Sequence, residues 1–95
     1  MLNNWVIIRS VSAGCFFGIL SQIDGNWVVL EDARRLWHWE GAASLSQLAG
    51  EGTKSPEHCK FTLPVAKILV ADVCEIISCT RAAVKSIQEV PVWKM

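Results

Sequence analysis

Residues 33–52 read ARRLWHWEGAASLSQLAGEG and hold two of the five tryptophans of the chain. Within them, Arg35, Trp37 and Trp39 are spaced two positions apart. On an extended strand, side chains at this spacing point to the same side, so these three are predicted to share one face. The first part of this stretch therefore predicts a strand with an aromatic and basic face.

The second part of the stretch predicts a turn at Gly41 and then a short helix over residues 44–49. Ser44-Leu45-Ser46-Gln47 has the pattern of a capping box, and Gly50 is a typical helix end. Flat aromatic rings, guanidinium groups and free N–H donors at a helix start suit a flat or anionic ligand. The predicted ligand-binding residues are Arg35, Trp37, Trp39, Ser44, Ser46 and Gln47.

Each of these residues also has a purely structural interpretation. Trp37 and Trp39 could fill the core, since tryptophan buries a large area. Arg35 could be a solvated partner of nearby carboxylates, which contributes little to stability. Ser44 and Gln47 could cap their own helix and bind nothing else. Such a cap stabilises a helix by about 1 kcal/mol.

The length of 95 residues predicts a single domain over residues 1–95 with a modest core. Hydrophobic residues make up 52% and charged residues 19%, which excludes a disordered chain. The formal net charge of zero gives no general attraction to nucleic acid or to an anionic membrane. A small core, an apolar composition and zero net charge together predict a homo-oligomer.

The four cysteines, Cys15, Cys59, Cys74 and Cys79, contain no C-x-x-C pair and fit no zinc motif. Cys15 and Cys74 lie in apolar runs, so buried, reduced thiols are predicted there. No apolar run reaches the length of a membrane span. We therefore expect a cytoplasmic protein with no metal, no cofactor and no membrane partner.

The hydrophobic pattern predicts an α+β fold, a small and strongly bent antiparallel β-barrel of the SH3 or Sm type with two short helices. Gly18 predicts a bulge or bend, and Asp24-Gly25 a hairpin. Thr80 is predicted to cap the second helix, and the tail after Pro91 to dock back onto the body. The predicted strands cover residues 5–10, 15–23, 27–30 and 33–39, with one final strand within 68–79.

Catalysis has no support in the sequence. His38 and His58 have no companions at metal-ligand spacing, and the neighbours His58 and Cys59 are poorly placed to act as a nucleophile pair. No glycine-rich phosphate loop is present. The chain is therefore expected not to be an enzyme.

Residues 18–30, GILSQIDGNWVVL, resemble the strand–turn–strand of Sm-like and other SH3-like small barrels. The bent glycine, the apolar residue and the aspartate of that pattern correspond to Gly18, Leu20 and Asp24. The resemblance covers a small part of the chain, and the second half has no counterpart of the second Sm motif. It implies a small barrel and a ring or dimer.

A longer resemblance rests on four segments: ARRLW at 33–37, GAASLSQLA at 41–49, CKF at 59–61 and VWK at 92–94. Together they are similar to a family of small uncharacterised phage and prophage proteins. The resemblance implies a phage accessory protein in the host cytoplasm, of a kind that often blocks host defence. It assigns no role to an individual residue.

Three functional hypotheses follow. The first is a non-enzymatic phage counter-defence protein that sequesters a small nucleotide-like ligand at the predicted residues. The second is a protein–protein inhibitor of a host defence effector, comparable to anti-CRISPR proteins, in which exposed tryptophans anchor the partner. The third is an Sm-like RNA-binding protein, whose affinity would fall steeply with salt.

Overall fold

The computed structural model describes all residues, 1–95, and contains six strands and two α-helices. A 3-10 turn at Pro56–His58 follows the first helix. The elements are β1 Trp5–Ser10, β2 Gly14–Asp24, β3 Trp27–His38, α1 Leu45–Glu51, β4 Lys60–Phe61, β5 Val65–Val70, β6 Val73–Ser78 and α2 Arg81–Gln88.

The strands form one antiparallel sheet in which β6, β1, β2 and β3 lie side by side. The long strand β3 pairs with β5 along its first half and with β4 near its end. β5 and β6 do not pair with each other, so the sheet is not closed. The predicted α+β class with two short helices is confirmed, whereas the closed SH3/Sm-type barrel is not.

The sheet bends at Gly18, as predicted. The register between β2 and β3 shifts between Phe17 and Ile19. A Cβ atom at Gly18 would lie 3.0 Å from the carbonyl oxygen of Glu31 and 3.2 Å from the Cα of Ala33. Only glycine allows the two strands to approach this closely, and the bend follows from that contact.

Both faces of the sheet are buried, which explains the weak alternation in the sequence of β1. In β1, Val6, Ile7 and Ile8 are all fully buried, and successive residues pack into different clusters. The helix-side core lies beneath α1 and α2 and contains Ile7, Phe17, Leu36, Leu48, Ala49, Cys59, Phe61, Ile87 and Val90. The second core lies on the opposite face and contains Val6, Ile8, Phe16, Leu20, Val28, Leu30, Ala33 and Val70.

Two strand predictions need correction, and in both an aspartate is in the left-handed conformation. β3 is one strand and not two. The backbone irregularity is confined to Asp32 (φ 50°), and strand pairing continues on both sides of it. The predicted final strand within 68–79 is instead two strands, joined by a turn at Asp72 (φ 56°). Aspartate tolerates this conformation better than most residues.

The helix caps agree with prediction. The Ser44 hydroxyl accepts a hydrogen bond from the Gln47 N–H, and the Thr80 hydroxyl accepts one from the Ala83 N–H. The first helix runs past the predicted end and is capped by Gly52. No helix is long and apolar enough to cross a membrane.

The prediction for Cys74 is wrong, because its side chain is exposed on the edge strand β6. Cys15 is half-buried, and the buried cysteine is Cys59, in the helix-side core. An apolar run on an edge strand is covered by fewer neighbours than the same run inside a sheet, which accounts for the error at Cys74.

Candidate functional site

An exposed pair of tryptophans, Trp37 and Trp93, is the most prominent surface feature. Their side chains are 63% and 42% exposed. The ring centroids lie 6.2 Å apart with an interplanar angle of 11°. A ligand ring held between them would need a gap of about 7 Å, the sum of two carbon–carbon contacts. The observed separation is smaller, so the two rings stack directly on each other and do not sandwich a ligand. They present one continuous aromatic surface.

The chain's tail brings Trp93 to this position. Val92 forms a parallel bridge with Phe61, and the Trp93 N–H donates a hydrogen bond to the Phe61 carbonyl at 2.9 Å. The predicted docking of the tail is therefore confirmed. Trp37 and Trp93 are far apart in sequence, and only the fold makes them neighbours.

The tryptophan pair borders an open groove of about 660 Å³. The Lys60 ammonium lies 5.5 Å from the centroid of the Trp93 ring, a favourable cation–π distance. We call this the Trp37 groove; its lining residues are Trp37, His38, Glu40, Glu57, His58, Cys59, Lys60 and Trp93.

Histidine and glutamate side chains set the polar character of the Trp37 groove. His38 Nε2 lies 3.2 Å from a carboxylate oxygen of Glu40, and His58 Nδ1 lies 3.4 Å from one of Glu57. The groove therefore contains two carboxylates and one ammonium, that of Lys60. This balance suits a flat ligand with hydrogen-bond donors better than a multiply charged anion.

Metal binding has no geometric support here. The chain contains no group of three or more histidine, cysteine, aspartate or glutamate side chains that could hold a metal ion. The Cys59 thiol instead lies near backbone and hydroxyl oxygens, including the carbonyl of Glu40 at 3.6 Å.

A β-bulge separates two of the predicted site residues. Leu36 pairs with Phe61 and His38 pairs with Lys60, so one extra residue of β3 lies between successive pairs. The bulge interrupts the alternation of side chains. Trp37 lines the groove, whereas Trp39, beyond the end of β3, packs against the helix-side core. The predicted common face of Arg35, Trp37 and Trp39 is therefore not formed.

Arg35 lies at a different place. Its guanidinium carbon is 4.5 Å from the centroid of the Phe16 ring, and its Nη1 donates a hydrogen bond to the Ala13 carbonyl at 3.0 Å. It lines a small cavity of about 80 Å³ that does not include Trp37. Arg35 thus contributes to the packing around the second core and lies outside the Trp37 groove.

The predicted capping box forms as the sequence indicates. Ser44 Oγ accepts from the Gln47 N–H at 3.1 Å, and Gln47 Oε1 accepts from the Ala43 N–H at 2.8 Å. Ser46 is exposed on α1 and makes no side-chain hydrogen bond within the chain. None of these three residues lines the Trp37 groove. Of the six predicted site residues, Trp37 alone does, and ligand binding by all six remains a prediction.

Sequence reasoning did not identify Arg34, which organises the surroundings of the tail. It is buried, and it donates hydrogen bonds to the carbonyls of Thr62 (2.8 Å), Ile87 (2.8 Å) and Phe61 (3.1 Å). A longer contact of 3.5 Å reaches the Pro91 carbonyl. Burial lowers the pKa of its guanidinium. Arg34 ties the end of α2 to β4 and the tail, and so positions Trp93.

The groove residues Lys60, His58 and Trp93 were also missed. His58 stands in a polar stretch without periodicity, Lys60 directly follows that stretch, and Trp93 stands in the tail. The only sequence signal was that the tail was expected to dock. The partner on which it docks depends on β4 pairing with β3, a long-range contact with no local pattern.

Comparison with known proteins gives one match. A family model described as a domain of unknown function, DUF6948, matches residues 3–87. No curated protein and no solved structure matches the chain. The match includes Trp37 and Lys60, together with α2 up to Ile87. The chain belongs to the DUF6948 family.

Proposed function

We propose that this protein is a non-enzymatic binding protein that holds a nucleotide-like ligand by its base in the Trp37 groove. The observation that carries the proposal is the stacked and exposed Trp37–Trp93 pair beside a groove of about 660 Å³. A base stacked on an exposed tryptophan gains about 1–3 kcal/mol, and every base offers a flat face.

The carboxylates of the groove favour bases that carry amino groups. Glu40 and Glu57 can accept N–H donors, as carboxylates do from the exocyclic amine of cytosine. Phosphate groups are repelled by the same carboxylates and would extend from the groove into solvent. The base is therefore the recognised part of the ligand.

The resemblance to phage accessory proteins supplies the cellular setting of the proposal. In that setting the protein acts in the host cytoplasm and counters host defence by sequestering a nucleotide signal. The zero net charge and apolar composition support a homo-oligomer.

Native mass spectrometry of the purified protein tests ligand and assembly together. We expect a species with more than one subunit that carries an additional nucleotide-sized mass, which denaturation releases. A ligand-free species that also fails to take up added cytidine would contradict the proposal.

Substitution of Trp37 tests the position of the ligand. Trp37→Ala should weaken cytidine binding by roughly 5- to 150-fold, the affinity equivalent of one lost stacking contact. The matched control is Leu69→Ala, because Leu69 is similarly exposed (61%) and lies on β5, away from the groove. Equal affinity of both variants for cytidine would place the ligand elsewhere.

A protein–protein inhibitor is the second candidate function. Its support is the apolar exposure of the tail, where Val92, Trp93 and Met95 are all exposed and Trp93 stacks on Trp37. Exposed tryptophans are common anchors of protein interfaces. Specific capture of one host protein by the wild type and not by Trp37→Ala, without any small ligand, would favour this function over the first.

A further inference from the structure

A second groove, which we call the Trp5 groove, runs along α2 and has a volume of about 490 Å³. It lies apart from the Trp37 groove and shares no lining residue with it. The residues that define its chemistry are Asn3, Asn4, Trp5, Ser78, Arg81 and Lys85.

The Trp5 groove is positively charged. Arg81 and Lys85 line it and no carboxylate does. Neither cation forms an ion pair, and Lys85 is unpaired although Glu89 stands one helical turn further on. The thiol of Cys79 is also in the lining, and burial raises its pKa to about 11, so it stays neutral at pH 7.

Arg81 stands where helix electrostatics disfavours a cation, whereas Lys85 lies in the last turn of α2, where the helix dipole favours one. Arg81 is the first residue of α2, in a first turn that contains no acidic residue, and the positive end of the helix dipole repels it. Lys85 follows four residues later, and like charges at this spacing repel each other. An anion bound in the groove would offset both the unfavourable position of Arg81 and the repulsion between Arg81 and Lys85.

Neutral donors complete the groove. The side chains of Asn3, Asn4 and Ser78 make no hydrogen bond within the chain, so their N–H and O–H groups are open to a ligand. Trp5 is held in place by Phe17, with centroids 4.8 Å apart and an interplanar angle of 16°. The groove thus offers several donors and two positive charges beside a fixed aromatic ring.

We propose that the Trp5 groove is a second binding site, which takes the phosphate groups of a small phosphorylated ligand. Arg81 and Lys85 contact the phosphate oxygens, and Asn3, Asn4 and Ser78 donate further hydrogen bonds to them. This site differs from the Trp37 groove in position and in ligand chemistry, and it does not depend on base binding there.

Titration of the ¹⁵N-labelled full chain with inorganic pyrophosphate, followed by NMR, tests the proposal. We expect saturable shifts of the Asn3 and Asn4 side-chain amides and of the Trp5 indole at concentrations up to about 10 mM. The absence of saturable shifts at these groups over that range would overturn the proposal. A parallel titration with AMP shows whether a nucleotide binds more tightly than free pyrophosphate, which identifies the source of the phosphate.

Two double variants with equal charge change separate a specific site from general attraction. Arg81→Gln with Lys85→Gln should weaken pyrophosphate binding by at least about tenfold. Lys54→Gln with Lys67→Gln removes two exposed cations outside the groove and should leave the affinity nearly unchanged. Equal losses of pyrophosphate affinity in both double variants would show that binding depends on net charge alone and would overturn the proposal. The first variant keeps the Thr80 cap and should melt no earlier than the wild type.

Discussion

The two grooves of this molecule contain similar aromatic groups and opposite charges. The Trp37 groove has the Trp37–Trp93 stack beside two carboxylates and one lysine, whereas the Trp5 groove has the Trp5–Phe17 stack beside two cations and no carboxylate. An aromatic ring makes a surface suitable for a flat ligand, and the charges around it select the chemistry of that ligand. We therefore propose neutral base binding for the Trp37 groove and phosphate binding for the Trp5 groove.

Arg34 bonds to α2, which borders the Trp5 groove, and to β4, which borders the Trp37 groove, and its substitution should have the largest effect. It holds the Ile87 carbonyl at the end of α2 and the Phe61 carbonyl on which the tail docks. Arg34→Met leaves buried carbonyls without donors and should lower the free energy of unfolding by about 3–5 kcal/mol. Urea unfolding measures this loss, and both binding activities should weaken together.

The control for that prediction is the neighbouring residue. Arg35→Met removes one side-chain hydrogen bond and a cation–π contact, and we expect a loss of about 1–2 kcal/mol. Equal destabilisation by the two substitutions would contradict the central position of Arg34.

The next largest effect distinguishes Trp39 from Trp37. Trp39→Ala should destabilise the fold by about 2–3 kcal/mol because Trp39 packs against the helix-side core. Trp37→Ala should lower the free energy of unfolding by about 1 kcal/mol, the contribution of the stacking between Trp37 and Trp93. Thermal unfolding of both variants checks the order. The reverse order would mean that the bulge at the end of β3 does not redirect these side chains.

A smaller effect concerns Cys79 in the wall of the Trp5 groove. Burial raises its pKa from 9.0 to about 11, so the unfolded chain loses this proton first as the pH rises. Stability contributed by the neutral thiol is therefore complete below pH 9 and falls by about 1–2 kcal/mol between pH 9 and 11. Urea unfolding at several pH values measures the slope. In Cys79→Ala the free energy of unfolding should fall less steeply with pH. An unchanged pH dependence would mean that other groups cause it.

The smallest effect is expected at the start of α2. Arg81→Gln removes a cation from the positive end of the helix dipole and should raise stability by about 0.3–1 kcal/mol, while it weakens pyrophosphate binding. The same substitution thus has opposite effects on stability and on binding. A loss of stability would show that Arg81 supports the fold rather than a ligand.

Local signals in the sequence predicted much of the fold. The caps at Ser44 and Thr80, the hairpin at Asp24-Gly25 and the bend at Gly18 each depend on a few adjacent residues, and all four are present. The open sheet was not predicted, because closure depends on whether β5 and β6 pair. That pairing is a long-range property.

The candidate site was predicted less well, for a physical reason that one residue illustrates. Trp37, one of the predicted ligand-binding residues, lines a groove, but its companions were assigned by strict alternation along a strand. The bulge before His38 breaks that alternation, and the tail supplies Trp93 from the far end of the chain. Neither the bulge nor the docking of the tail can be recognised from the residues around Trp37.

The most direct test of the two-groove account uses the tryptophans as reporters. The chain has five tryptophans, and each gives one indole N–H signal in a ¹⁵N spectrum. The account predicts that the neutral nucleoside cytidine shifts the signals of Trp37 and Trp93, and that pyrophosphate shifts that of Trp5. Trp27 and Trp39 should hardly respond to either probe. If both probes shifted the same signals, or if pyrophosphate shifted that of Trp37, the assignment of separate chemistry to the two grooves would be wrong.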